Sequence, residues 1–255
     1  MKIVLKIGGN EIDDPEFLKS VSKLVADTRK KGHEVIIVHG GGKEITKLLG
    51  ALDIQTKFVK GFRYTDERSL EAVEMVLSGV INKRLVKSLQ AAGVDAIGLS
   101  GVDGRILVAN RTTREGEDIG LIGEIVSVNV PVFEGFMKKF VVVLSPVSTD
   151  KKSTTSLNVN ADYAAAAVAS ALKSELTIFL SNVAGVLKDG RPISMLSRKD
   201  FDELRTSGVI AGGMVPKIEA AIQALMNGAG SAFITDAVGT ARLISGKIAG
   251  TKVIV

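Results

Sequence analysis

Ile3-Val4-Leu5-Lys6-Ile7-Gly8-Gly9 is an apolar strand with one charge inside it, and it runs straight into two glycines. A strand buried on both faces of a parallel sheet reads as an unbroken run of Val, Ile and Leu. An ammonium in such a run costs several kcal/mol unless an anion meets it. The glycines let another group come close to the backbone. Lys6 therefore either points from a strand end at an anionic ligand or lies in solvent at a sheet edge, and this segment alone fits both.

Outward from that strand, similar runs recur. Apolar β-branched stretches fall at 3–7, 34–38, 95–99, 140–144, 176–180, 231–235 and 252–255. Helical periodicity fills 15–31, 43–52, 66–92, 161–173, 198–206 and 214–227. The alternation predicts an α/β fold, a largely parallel sheet with helices on both faces. Residues 104–128 differ, being glycine-broken and charge-rich with short runs such as Ile106-Leu107-Val108, and they predict one or two hairpins inserted at a sheet edge. Ser148 to Ser156, rich in Lys, Ser and Thr, is the nearest approach to a hinge. The chain reads as a single domain, 1–255, with lobes of about 1–150 and about 151–255.

Hydrophobic residues at 45 % and charged residues at 24 % are ordinary for a soluble globular protein. No apolar run approaches the roughly 18 residues of a membrane span. Met1-Lys2-Ile3 enters a strand at once, without a signal peptide, so a cytoplasmic location is expected. The absence of cysteine excludes disulfides, thiolate metal sites and cysteine nucleophiles. A net charge of +5 favours anionic partners. The basic residues are dispersed and aromatics are only 4 %, so small anionic metabolites fit better than nucleic acid.

The glycine turns carry the next signals. His39-Gly40-Gly41-Gly42 ends the second strand and opens a helix at Lys43. Such a turn exposes N–H groups before a positive dipole end and makes an anion site, or it is simply a tight βα turn. Ser181-Asn182-Val183-Ala184-Gly185-Val186 follows the strand 176–180, where ligands of parallel sheets bind, or is an ordinary loop. Gly212-Gly213-Met214-Val215-Pro216-Lys217 leads into a helix from Ile218 to Met226. Pro216 suits a first helical turn. Lys217 does not: a cation there opposes the macrodipole by roughly 0.3–1 kcal/mol. An anion bound at the turn would reverse that sign.

Asn160 is a natural N-cap of the alanine-rich helix from Tyr163 to Leu172, and Asp162 falls in its first turn. Capping explains both and leaves the amide of Asn158 for a carboxylate or an amide. Asp162 would also hold two lysines in place if they converge. Arg63, in Gly61-Phe62-Arg63-Tyr64-Thr65-Asp66, is either a solvated loop residue or the bidentate partner of a carboxylate.

Several chemistries are excluded. The only histidines, His33 and His39, precede every candidate nucleophile and no Gly-x-Ser-x-Gly occurs, so a hydrolase triad is out. No Gly-x-x-x-x-Gly-Lys-Ser/Thr occurs, which removes a P-loop. Phosphoryl transfer remains, because positioning and charge neutralisation can catalyse it. A carboxylate acceptor is already ionised at neutral pH and needs no base. Lys6 would face the transferring group and Lys217 the nucleotide side, with Mg2+ held mostly by phosphate oxygens.

Lys6-Ile7-Gly8-Gly9, His39-Gly40-Gly41-Gly42, Gly61-Phe62-Arg63-Tyr64-Thr65-Asp66, Asn158-Val159-Asn160-Ala161-Asp162 and Gly212-Gly213-Met214-Val215-Pro216-Lys217 span essentially the whole chain in order. Together they resemble the amino acid kinase family, and within it the branch that phosphorylates acetylglutamate. The resemblance implies a three-layer αβα sandwich around a mainly parallel sheet of about eight strands. It implies an N-lobe for the acceptor and for dimerisation and a C-lobe for ATP. Lys6 and Lys217 would be the transition-state lysines, organised by Asp162. Gly41, Gly42, Arg63 and Asn158 would hold a small acidic substrate, with Asn160 close by. Gly8, Gly9, Ser181, Asn182, Gly185, Val186, Gly212 and Gly213 would line the nucleotide, and 104–128 would form a lid. The resemblance further implies ATP and Mg2+, no protein metal ligand, a homodimer, and an acyl phosphate of arginine biosynthesis as product. The chain starts at the first strand, without the extra N-terminal helix associated with arginine-inhibited hexamers, so a dimer insensitive to arginine is expected.

Two stretches point to a sister group. Leu99-Ser100-Gly101-Val102-Asp103-Gly104-Arg105 and Leu180-Ser181-Asn182-Val183 resemble kinases that act on aminoadipate or glutamate attached to an amino-group carrier protein. The positive net charge would suit an acidic carrier. Those sisters usually have a longer Gly-x-Arg-Ser-Arg-Tyr loop, and Asp-Gly-Asp where this chain has Asn160-Ala161-Asp162. Both discriminating sites side with free acetylglutamate. A non-catalytic sensor of the same fold would be expected to lack a transfer lysine, and both are present.

Overall fold

The computed structural model describes residues 1–9, 12–59 and 61–255. Eight strands form the central sheet: β1 (Lys2–Ile7), β2 (Glu34–His39), β3 (Ala96–Ser100), β4 (Val141–Ser145), β5 (Leu176–Leu180), β6 (Met195–Ser197), β7 (Ala232–Thr235) and β8 (Thr251–Ile254). Their order is β6-β8-β7-β5-β1-β2-β4-β3. Neighbours are parallel except β7 and β8. β1 lies between β5 and β2, with Lys6 opposite Phe179 on one side and Val38 on the other. Lys6 is thus in the middle of the sheet, and the solvated-edge reading of it falls.

The helices are α1 (Pro15–Lys30), α2 (Gly42–Ala51), α3 (Glu67–Glu74), α4 (Asn82–Ala91), α5 (Val130–Met137), α6 (Ala161–Ala171), α7 (Arg198–Thr206), α8 (Met214–Met226) and α9 (Ala237–Ile244). Side chains alternate across a strand. Ile3, Leu5 and Ile7 therefore face one layer, packed with residues of α1, α4 and α9. Val4 faces the other, against α5, α6 and α8. Lys6 shares the face of Val4, which aims its side chain at α6. The alanines of α6 (Ala164, Ala165, Ala166 and Ala169) are fully buried and let that helix lie close to the sheet and to α8. The result is the three-layer αβα sandwich.

Three departures from the sequence reading have physical causes. The single helix expected over 66–92 contains a π-helical stretch, Met75–Ile81, between α3 and α4. It packs Leu77 and Ile81 beneath Gly41, where an added Cβ would lie 2.7 and 2.2 Å from their methyl carbons. The hairpin Leu107–Arg114/Glu117–Val128 does not extend the central sheet. It forms its own four-stranded sheet with Ser148–Asp150 and Ser156–Leu157. The expected hinge is therefore strand, turn and strand. Asp150 explains it, accepting from Lys152 N at 3.0 Å and Ser153 Oγ at 2.7 Å as a turn-forming aspartate does. The short elements β6, α5 and α9 carry too few periodic positions to be read from sequence.

Candidate active site

Six strands direct their carboxyl ends to one edge of the sheet, and chain order changes sides between β1 and β5. That is the switch point where open α/β sheets bind ligands. A cleft of about 900 Å³ opens there. The first residues of α2, α6 and α8 (Gly42, Ala161 and Met214) all line it, so three positive helix ends converge on one space.

At the floor, Lys6 Nζ lies 2.8 Å from Asp162 Oδ1, with side chains only 5 % and 7 % exposed. Lys217 reaches the same oxygen at 4.0 Å, is 16 % exposed, and also lies 3.4 Å from the carbonyl of Gly213. Asn160 caps α6, its Oδ1 accepting from Asp162 N at 2.8 Å. That cap fixes the turn carrying the shared carboxylate. Two ammonium groups around one carboxylate leave the floor positive and ready for an anion.

The glycines allow the close approach. An added Cβ on Gly9 would lie 2.7 Å from Gly41 Cα, so the turns after β1 and β2 meet backbone to backbone. Gly42 and Gly213 face open space, Gly212 sits at a φ of +56°, and all three line the cleft with Gly8 and Gly9. Arg63, which also lines the cleft, lies on the small hairpin Phe58–Val59/Phe62–Arg63. Its guanidinium donates to Thr46 Oγ1 at 2.7 Å, Gly42 O at 3.1 Å and Thr56 Oγ1 at 3.2 Å, above the ring of Phe58. Burial lowers its pKa from the ordinary arginine value, yet arginine stays charged at neutral pH. Asn158 lines the cleft and donates its amide to Thr65 Oγ1 at 3.2 Å, a structural contact that sequence alone did not supply.

Ser181 and Asn182 line the cleft after β5. Gly185 and Val186 lie outside its wall. A Cβ on Gly185 would come 2.7 Å from Thr251 Oγ1, and Val186 N donates to that hydroxyl at 2.8 Å. Both fasten the loop to β8. His39 is fully buried and outside the wall, and loss of solvent pushes its pKa down to about 4. Asn82 Nδ2 lies 3.3 Å from Nε2 and the carbonyl of Gly40 lies 3.2 Å from Nδ1, which assigns the ring proton to Nδ1. This neutral imidazole is not a base for the cleft.

Sequence reasoning missed Tyr163, Glu219, Arg205 and Arg114, which also line the cleft. Tyr163 donates to Glu219 at 2.5 Å, and Arg205 pairs with Glu219 at 2.8 Å. Burial and the Glu219 carboxylate push the Tyr163 pKa up, so it remains a hydrogen-bond donor. The only signals were a tyrosine interrupting an alanine run and a glutamate two residues after Lys217. Among the described residues, no group of three or more His, Cys, Asp or Glu side chains could hold a metal.

The model of the amino acid kinase family matches residues 1–236. An acetylglutamate kinase of Thermoanaerobacter sp. (strain X514) is 43 % identical over 239 residues, 92 % of this chain and 79 % of that one. An acetylglutamate kinase of Chloroflexus aurantiacus (strain ATCC 29366 / DSM 635 / J-10-fl) is 41 % identical over 237 residues, 92 % of both chains. The crystal structure of smu.665 from Streptococcus mutans UA159 superposes with a TM-score of 0.84 at 30 % identity, covering 99 % of this chain and 98 % of that one.

Proposed function

The chain belongs to the amino acid kinase family, and from that premise we propose that it transfers the γ-phosphoryl group of ATP to the side-chain carboxylate of N-acetylglutamate. The product is an acyl phosphate, an intermediate of arginine biosynthesis. The observation that carries the reading is the Lys6–Asp162–Lys217 floor, set in a cleft that His39 does not reach. Such a floor suits an acceptor that arrives as an anion and needs no proton removed. Relatives named acetylglutamate kinase, at 43 % identity over most of the chain, support the acceptor.

In this reading the acceptor carboxylate oxygen bonds to the γ-phosphorus while the bond to the departing ADP oxygen breaks. Arg63 and the N–H groups of Gly41 and Gly42 hold the acceptor's non-reacting groups. Lys6 neutralises charge on the phosphoryl group in flight, and Lys217 neutralises it on the nucleotide side. Asp162 keeps the two ammonium groups apart and aimed. The glycines at 8, 9, 212 and 213 admit phosphates close to the backbone, with Ser181 and Asn182 along the nucleotide. A Mg2+ ion fits this set as a companion of the phosphates, because the Asp162 carboxylate is engaged by lysine; when bound, it would supply further charge neutralisation.

We also infer a cytoplasmic homodimer. Met75 and Val80, 56 % and 54 % exposed, present an apolar outer face on the π-helical stretch, and a cysteine-free chain suits a reducing compartment. No helix among the described residues is long and apolar enough to cross a membrane. Trapping the acyl phosphate with hydroxylamine tests the reaction. Hydroxamate should form from ATP and free N-acetylglutamate. Formation only from aminoadipate or glutamate on a carrier protein would replace the acceptor, and formation from neither would remove the kinase reading.

A further inference from the structure

Beside the main cleft lies a second cavity of about 310 Å³, between the hairpin Leu107–Arg114/Glu117–Val128 and helices α6 and α8. The two spaces share Phe62, Arg114, Ile122, Asn160, Tyr163 and Glu219 as wall residues, so they adjoin on the acceptor side. Half-buried Thr112 and, at its exposed rim, Thr113 and Gln223 give the cavity hydrogen-bonding groups, and Ile125 and Ala167 give it apolar surface. At the shared wall the charges are unequal. Glu219 is already engaged by Arg205 and Tyr163. Arg114 is half-buried with its guanidinium 4.9 Å from the centre of the Phe62 ring, and among the described residues it makes no ion pair. Stacking holds the plane of an arginine while leaving its N–H fork for a carboxylate. Glu124 sits at the exposed side of the cavity and disfavours an acidic group placed further out.

We propose that Arg114 and the side cavity extend the acceptor site, so that the acceptor class includes glutamates whose N-acyl group is longer than acetyl and ends in a carboxylate. A short dicarboxylic acyl group such as succinyl would place its free carboxylate at Arg114, short of Glu124, with its methylenes against Ile122 and Ala167. The transfer itself is unchanged: the glutamate side-chain carboxylate takes the γ-phosphoryl group and ADP leaves. This inference rests on the acetylglutamate reading above.

Its test is the ratio of kcat/KM for N-succinylglutamate to that for N-acetylglutamate, measured by ADP release with product mass to identify the phosphorylated species. The wild type should use both, with a ratio within about tenfold of unity. Arg114→Gln should lower the ratio by about tenfold or more, as loss of a charged hydrogen bond does. Ala167→Met, which narrows only the side cavity, should lower it as well and guards against a folding defect in the first variant. Use of N-acetylglutamate but not N-succinylglutamate by the wild type would overturn the extension. So would an equal loss on both substrates in Arg114→Gln, which would place that arginine on the common part of the acceptor. Turnover of neither substrate would instead fail the functional reading, and the extension with it.

Discussion

Lys6 and Lys217 meet at one carboxylate, but they come from regions of different character. Lys6 belongs to the central strand and is sealed between α6 and the sheet, 2.8 Å from Asp162. Lys217 stands in the first turn of α8, more exposed and 4.0 Å from the same oxygen. A buried pair broken on one side leaves an uncompensated charge, whereas a cation in a first helical turn works against its own helix. In the proposed reaction the strand-borne lysine would therefore serve both fold and chemistry. The helix-borne lysine would serve chemistry at some expense to its helix.

Removing each lysine separates the two roles and gives the largest expected effect. Lys6→Ala and Lys217→Ala should each lower kcat by roughly a thousandfold or more, about 4 kcal/mol of transition-state stabilisation. Their unfolding midpoints should diverge. Lys6→Ala should lose about 3 kcal/mol of stability by leaving buried Asp162 only its longer contact with Lys217, and Lys217→Ala about 1 kcal/mol or less. Adding Asp162→Asn to Lys6→Ala should restore much of the stability without restoring turnover. Urea titration beside initial rates reads both quantities, and equal stability losses in the two lysine variants would erase the contrast.

Acid probes the strand-end region at the next strand. His39 ends β2, its pKa depressed from the ordinary 6.5 to about 4 by burial. The unfolded chain therefore binds a proton that the folded chain refuses between those values. Stability is whole above about pH 6.5 and falls as pH drops toward 4, by roughly 3 kcal/mol in all. Asp66 and Asp200 have pKa values lowered from 3.8 by hydrogen bonds to Ser69 and Ser197, so their protonation begins below that window. Urea midpoints measured between pH 7 and 4.5 should slope down in the wild type and slope less in His39→Gln, where His33, its pKa lowered by burial, still contributes. A flat wild-type profile would mean that the imidazole is not held neutral.

The same division decides what could be read from sequence. Lys6 was legible because a charge inside an apolar strand is a local contradiction, and Lys217 because a cation after two glycines opposes a dipole. Asn160 and Asp162 were legible as a cap. The sheet followed from alternating periods. What escaped depends on contacts between distant segments. Tyr163, Glu219, Arg205 and Arg114 come together only when α6, α7, α8 and the hairpin are assembled. Ser148 to Ser156 read as a hinge because its pairing partner, Val108–Ala109, lies some forty residues away. The contacts of Gly185 and Val186 with Thr251 escaped too, because nothing local shows that β8 meets their loop.

Arg63 tests the hairpin-borne wall against the lysine floor. Its guanidinium already has three hydroxyl or carbonyl partners, which pre-orient it. Arg63→Ala should raise KM for the acceptor by tens of fold, about 2 kcal/mol, and change KM for ATP less than threefold. Steady-state rates with each substrate varied in turn give the answer. An unchanged acceptor KM would move the carboxylate contact to another residue.

The smallest expected effect concerns how the turn after β1 is held, and it asks whether the strand-end lysine depends on support from helices. Two contacts fasten the chain just beyond that turn. Arg84, from α4, donates to the carbonyl of Ile12 at 3.4 Å and pairs with Glu44 of α2 at 3.2 Å. Lys43 pairs with Asp13 at 2.6 Å, but both side chains are well exposed. Exposed pairs are screened and contribute little, whereas a half-buried arginine bridging two helices and a backbone carbonyl restrains all three. Arg84→Met should therefore raise KM for ATP a few fold, roughly 1 kcal/mol, by loosening the glycine turn proposed to receive phosphate. Lys43→Met should leave it unchanged. If both behave alike, the turn is held by the contact between Gly9 and Gly41 alone, and the strand end needs no help from the helices around it.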